Sequence, residues 1–195
     1  MNLEIQLGLP GPVSFEKIFG NAGPVEIELG FGKALFLLRS ATEHPDCNYL
    51  GVEVSRKWFR EGKRRAEKAG PPDNLRLLHA EAVDFLTRFT PPASVRALHI
   101  YYPDPWPKKR HQKRRFVAGP LLSQAERVLL PGGELRVVTD HAGYAEWIGE
   151  QLAARPALVP LEWEGDGQDL THFEAKYRRQ GRSAYRFRRR LEGPR

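Results

Sequence analysis

The sequence predicts an α/β fold: a mostly parallel sheet with helices on both faces and an antiparallel pair of strands at its carboxyl-terminal edge. Three observations lead there. Short β-rich apolar runs alternate with longer stretches of helix-like pattern, clusters of Gly and Pro punctuate the alternation, and the last two apolar runs have no helical pattern between them. With 195 residues, 41% hydrophobic and 28% charged, the chain suits one globular domain with a real core. We read 1–195 as that domain, with a short amino-terminal segment 1–24, a basic loop 107–115 and a basic carboxyl-terminal strand region 176–195.

The elements follow in order. Val25–Leu29 reads as a strand and leads into a helix from about Lys33 to Glu43. Tyr49–Val54 is a second strand. Arg56–Ala69 is a charged amphipathic helix ended by Gly70-Pro71-Pro72, which cannot continue it. Leu75–His79 is a third strand, followed by a short helix near Ala82–Arg88. Val95–Tyr101 is a fourth, bounded upstream by Pro91-Pro92. Phe116–Leu129 reads as a helix stopping at Pro131-Gly132-Gly133, Leu135–Thr139 as a fifth strand, and Tyr144–Ala154 as another helix. Two β-like runs, Ala157–Trp163 and Tyr185–Arg189, complete a sheet of seven.

Charge narrows the function. The net charge is +7, with a pI near 9.7, and it is unevenly spread. Residues 1–55 carry three basic groups (Lys17, Lys33, Arg39) against seven acidic ones. Residues 107–115 carry six Lys/Arg, residues 175–190 carry eight, and neither segment has an acid. Basic clusters beside an acidic half point to nucleic acid, and a solvated basic surface is the alternative. The lone Cys47 has no disulfide partner within the chain, which fits a reducing compartment. The amino terminus lacks the pattern of a signal peptide, and no apolar run approaches the roughly 20 residues that span a bilayer. A cytoplasmic protein is expected.

In open α/β sheets, ligands sit beyond the carboxyl ends of the strands. After the first strand come Gly30 and Gly32, which let the backbone approach a ligand closely or merely turn from strand to helix. No third glycine completes a dinucleotide fingerprint at positions 33 to 35. The second strand ends at Glu53, where a carboxylate can accept hydrogen bonds from both ribose hydroxyls of a nucleoside, or cap the next helix. Glu81 follows the third strand and has the same two readings. The fourth strand runs into Tyr101-Tyr102-Pro103-Asp104-Pro105-Trp106-Pro107. Three prolines exclude helix and hold Asp104 at the strand mouth, and the cationic run starts at Lys108. Repulsion among its like charges, with no apolar residue to anchor them, predicts a run without fixed structure in the absence of RNA. Asp140 follows the fifth strand, either in a site or as a helix cap. Thr171-His172-Phe173-Glu174 precedes the basic tail.

Glu28-Leu29-Gly30-Phe31-Gly32, Glu53, Pro103-Asp104-Pro105-Trp106-Pro107-Lys108-Lys109-Arg110-His111, Thr139-Asp140 and Thr171-His172-Phe173-Glu174 together resemble the bacterial tRNA (guanine-N7-)-methyltransferase family. That family has a class I methyltransferase (Rossmann-like) fold, and the resemblance runs from Val25 to the carboxyl terminus. It implies an enzyme that uses S-adenosylmethionine and no metal to methylate N7 of a guanosine in tRNA, usually guanosine 46 of the variable loop. Glu28, Glu53, Glu81 and Asp104 would line the cofactor site, with Gly30 and Gly32 at its methionine end. Lys108, Asp140, Thr171, His172, Phe173 and Glu174 would hold the substrate. Arg110, His111, Gln112, Lys113, Arg114 and Arg115 would contact RNA. Either a monomer or a homodimer is compatible with it. Two positions depart from the pattern: Ala34 stands where many members have a third glycine, and Glu81 where Asp is more usual.

N7 of guanine has a lone pair and no proton, so its methylation needs alignment rather than a general base. Asp104 would be the catalytic group, stabilising the cation that develops on the base and accepting hydrogen bonds from guanine N1–H or its 2-amino group. A methyltransferase for an exocyclic amine is one alternative. Such enzymes commonly carry Asn/Asp-Pro-Pro-aromatic, whereas Trp106 here follows Asp104-Pro105 directly. A nicotinamide-dependent oxidoreductase, and an RNA-binding module without catalysis, are two more.

Overall fold

The computed structural model of the chain describes residues 3–8, 11–164 and 183–193. Their order is α1 (Phe15–Phe19), β1 (Val25–Leu29), α2 (Leu35–Glu43), β2 (Asn48–Glu53), α3 (Arg56–Ala69), β3 (Leu75–His79), α4 (Ala82–Phe89), β4 (Val95–Tyr101), a 3₁₀ helix (Lys109–Arg114), α5 (Gly119–Val128), β5 (Leu129–Thr139), α6 (Ala142–Ala153), β6 (Leu158–Leu161) and β7 (Tyr185–Leu191). The seven strands form one sheet in the order β3-β2-β1-β4-β5-β7-β6. All neighbours from β3 to β5 are parallel. β7 runs antiparallel to both β5 and β6, the expected edge arrangement.

Strand alternation sorts the side chains between two cores. Val25, Ile27 and Leu29 of β1 join Leu50, Leu98 and Val137 under α1, α4, α5 and α6. Tyr49, Leu75, Leu77 and Tyr101 pack on the other face, under α2 and α3. Glu26 and Glu28 alternate with that first set and so point to the α2/α3 face. Glu26 is 7% exposed. Its carboxylate accepts from His99 at 2.9 Å and pairs with Arg96 at 2.8 Å, and His99 Nδ1 lies 2.8 Å from the Tyr101 hydroxyl. Burial pushes the Glu26 carboxyl up, but the His99 hydrogen bond and the charges of His99, Arg96 and Arg136 outweigh it and hold the group at about 2.

Several boundaries differ from the sequence reading, among them β6, which is Leu158–Leu161 rather than Ala157–Trp163, and α6, which begins at Ala142 rather than Tyr144; three differences have a clear local cause. α2 begins at Leu35 rather than Lys33 because Ala34 is left-handed, with φ of 57°, and no helix passes through such a residue. α5 begins at Gly119 rather than Phe116. Pro120 has no N–H to donate to the Phe116 carbonyl and is tolerated only in a first turn, where it sits. β5 begins at Leu129, because Pro131-Gly132-Gly133 forms a bulge inside the strand rather than a break before it. The β4–β5 register steps there from Val95↔Leu129 to Ala97↔Glu134. The five-residue α1, capped by Ser14 and by Gly20 at φ of 76°, has too few residues to show a helical period.

Candidate active site and its basic loop

Strand order reverses between β1 and β4, so the loops leaving their carboxyl ends diverge and open a crevice. A cavity of about 550 Å³ lies there, lined among others by Glu28, Gly30, Gly32, Glu53, Trp58, Glu81, Asp104, Trp106 and Arg114. All the acids and glycines assigned to a cofactor from sequence meet in this one space. Lys108 and Asp140 lie outside its lining. Thr171, His172, Phe173 and Glu174 fall outside the described residues.

The glycine loop is built from residues in left-handed conformation. Gly30, Gly32 and Ala34 have φ of 82°, 52° and 57°, and the Gly30 amide donates to the Val52 carbonyl at 2.7 Å. A Cβ added at Gly30 or Gly32 would meet no protein atom within 4 Å. These glycines therefore keep space free along the cavity instead of letting protein pack closely. Ala34 takes the backbone conformation that favours glycine, and its methyl is fully buried.

Glu53 locks this loop to β2. One carboxylate oxygen accepts the Gly32 amide at 3.1 Å and the other accepts the Ser55 amide at 2.8 Å. The cap of α3 is Ser55, so the capping alternative for Glu53 does not apply; at 7% exposure the acid sits inside the cavity wall. Glu81 does cap its helix. Its oxygens accept from Val83 N at 3.1 Å and Asp84 N at 2.6 Å, while the residue also lines the cavity.

Glu28 is the chemically unusual group. It is 3% exposed, and one of its oxygens has no hydrogen-bond partner. Burial, and secondarily the charge of Glu53, raise its carboxyl well above the usual carboxylate range. A buried acceptor without a donor implies a donor that arrives with a ligand. Together with the open glycine surface, this set of acceptor oxygens fits S-adenosylmethionine, whose ammonium and ribose hydroxyls donate and whose sulfonium favours negative neighbours.

Asp104 is exposed at the cavity mouth. The residues two before and two after it, Tyr102 and Trp106, have φ of 53° and 42°, so the segment 102–107 carries backbone strain that prolines on either side of Asp104 hold in place. At the end of β5, the α6 cap is His141, whose Nδ1 accepts from Tyr144 N at 3.2 Å; Asp140 does not have that job.

The basic run is structured, contrary to expectation, because aromatic faces supply the missing anchors. Arg115 is 7% exposed. Its guanidinium lies over the rings of Tyr144 and Trp147 at 5.2 and 5.3 Å and donates to the Pro105 carbonyl at 3.2 Å. Arg114 lies over Trp106 at 5.0 Å. Arg115 thus points into the protein, leaving Lys108, Arg110 and Lys113 exposed, His111 and Gln112 half-buried, and Arg114 at the cavity rim. In β7 some of the expected positive surface is likewise neutralised: Arg188 pairs with Glu134 at 2.7 Å and Glu164 at 3.0 Å. Trp58 and Trp106 line the cavity and had no assigned part from sequence, though Trp106 carried a signal through its place in the proline motif; Arg114, assigned to RNA from sequence, lines the cavity too. Among the described residues, no group of three or more His, Cys, Asp or Glu could hold a metal, and no helix is long and apolar enough to cross a membrane.

This architecture is that of class I methyltransferases. The 16S rRNA methyltransferase KamB superposes with a TM-score of 0.64 at 16% identity, over 92% of this chain and 93% of that one. Residues 22–187 match the family model Methyltransf_4, described as "Putative methyltransferase". A tRNA (guanine-N(7)-)-methyltransferase of Nitrosococcus oceani is 35% identical over 192 residues, which is 96% of this chain and 80% of the relative. Another from Halorhodospira halophila is 40% identical over 144 residues, 74% of this chain and 62% of the relative. The chain belongs to the tRNA (guanine-N7-)-methyltransferase family.

Proposed function

We propose that this chain transfers a methyl group from S-adenosylmethionine to N7 of a guanosine in tRNA, at position 46 of the variable loop, and that it does so as a single domain in the cytoplasm. One observation carries the reading: Glu28 with its orphaned oxygen, the open glycine loop and Glu53 share a cavity with Asp104, and the cationic run begins four residues beyond Asp104, at Lys108. When bound there, the cofactor supplies a methyl group on a sulfonium, and its transfer leaves the sulfur neutral and places one positive charge on guanine. Glu53 fixes the glycine loop, Glu28 offers an acceptor to the cofactor's cationic end, and Asp104 faces the charge that develops on the base. Lys108, Arg110 and Lys113 hold phosphates. Asp140 and residues 171–174 complete the substrate site.

Incubating an unmodified tRNA transcript with methyl-labelled cofactor, followed by nucleoside analysis, tests this directly. Label should appear as 7-methylguanosine and vanish from a transcript with adenosine at position 46. Label in another nucleoside, or persistence in the substituted transcript, would refute the assignment at the corresponding level.

A further inference from the structure

We propose that the indole face of Trp106 is the seat on which the target guanine stacks, and that it favours the cationic 7-methylated base over neutral guanine. The proposal rests on the methyltransferase reading above and adds a residue with no part in it.

Four observations converge on this ring. Trp106 is half-buried, lines the cavity and stands two residues from Asp104. Its backbone has φ of 42°, a conformation that L side chains rarely adopt and that Pro105 and Pro107 flank. Strain of this kind persists where the direction of a side chain matters. The ring already carries a planar cation, since Arg114 Cζ lies 5.0 Å from its centroid. His111 meets it edge-on, with centroids 5.6 Å apart and an interplanar angle of 86°. That edge contact sets the plane of the indole.

A seat occupied by a guanidinium is matched in shape and charge to another flat, delocalised cation. Guanine is flat and neutral, and 7-methylguanine is flat and positively charged. The indole's negative face gains on the second relative to the first, and that gain develops as charge moves onto the base during transfer. Arg114 keeps the ring covered until the base takes its place; the guanidinium is then free to reach the adjoining phosphate. Trp106 is thus a specificity residue that touches the reacting base.

The test compares 7-methylguanosine 5′-monophosphate with guanosine 5′-monophosphate by equilibrium binding to the full chain saturated with S-adenosylhomocysteine. The wild type should prefer the methylated nucleotide about tenfold, which is 1.4 kcal/mol and within the range for a partly desolvated cation on an indole. W106F should retain most of that preference, and W106L should fall below about twofold, while cofactor affinity, read in parallel, does not track the loss of preference. The platform is overturned by equal binding of the two nucleotides to wild type, by a preference that survives in W106L, or by cofactor affinity falling in step with the preference. The wild-type comparison needs no variant, so poor folding of W106L does not blunt it. Failure of the wild type to methylate tRNA would sink the parent reading; methylation without nucleotide preference sinks the platform alone.

Discussion

Glu53→Gln changes one oxygen to an amide nitrogen and keeps the shape, and the structure predicts a large effect. The two carboxylate oxygens serve different donors, the Gly32 amide at 3.1 Å and the Ser55 amide at 2.8 Å. Glutamine has one acceptor oxygen, so its NH₂ must face one of the two backbone N–H groups. That amide loses its bond in a nearly buried site, and the surviving bond loses its charge assistance. Leaving a buried donor unsatisfied costs about 1–3 kcal/mol, so a destabilisation of about 2 kcal/mol is expected. The same two bonds set the glycine loop against the cavity. Cofactor affinity should therefore fall roughly 30-fold, at 1.4 kcal/mol per tenfold. Calorimetric titration with S-adenosylhomocysteine and urea unfolding of the same samples read both effects. An affinity within threefold of wild type, together with an unchanged urea midpoint, would show that Glu53 does not hold the loop.

Asp104→Asn should cut methyl transfer about 100-fold or more, the scale of one preorganised electrostatic group; near-normal single-turnover rates would remove Asp104 from catalysis. With Arg115 turned inward, five cations of the loop remain for phosphates once the base has displaced Arg114 from Trp106, so raising salt from about 50 to 200 mM should weaken tRNA binding roughly five-hundredfold. A flat response over that range would rule out the loop as the main contact. Glu26, held at about 2 against an ordinary 4.5, stabilises the folded state above pH 4.5 and loses that contribution as pH falls toward 2. The contribution is about 3 kcal/mol and should disappear from the acid limb of urea-unfolding curves in Glu26→Gln; identical limbs in the two proteins would contradict the pairing.

Where local chemistry sets a boundary, the sequence was enough to find it. β1, α3, β3 and β4 match their expected residues, because Gly30, Ser55, Gly70-Pro71-Pro72 and Pro91-Pro92 act within a turn of where they stand. Errors came from residues whose effect depends on context. Ala34 reads as a good helix former until its left-handed backbone is seen, and Pro131-Gly132-Gly133 reads as a stop until β4 is laid beside it. The acids of the cavity were legible because the parallel sheet delivers every strand end to one edge. The Glu26–His99–Tyr101 chain was not, since it joins β1 to β4 through register alone. Nor was the inward turn of Arg115, which depends on two rings of α6 that sequence spacing cannot place beside it.

The bond from Arg115 to the Pro105 carbonyl has a practical consequence for genetics. It ties the far end of the cationic segment back to the residue next to Asp104, so the surface proposed to hold RNA and the carboxylate proposed to face the base are one mechanical part. Lesions in that hairpin should impair affinity and rate together, and selections for mutants defective in only one of them should return substitutions at its outer positions, Arg110 and Lys113, sooner than at Arg115.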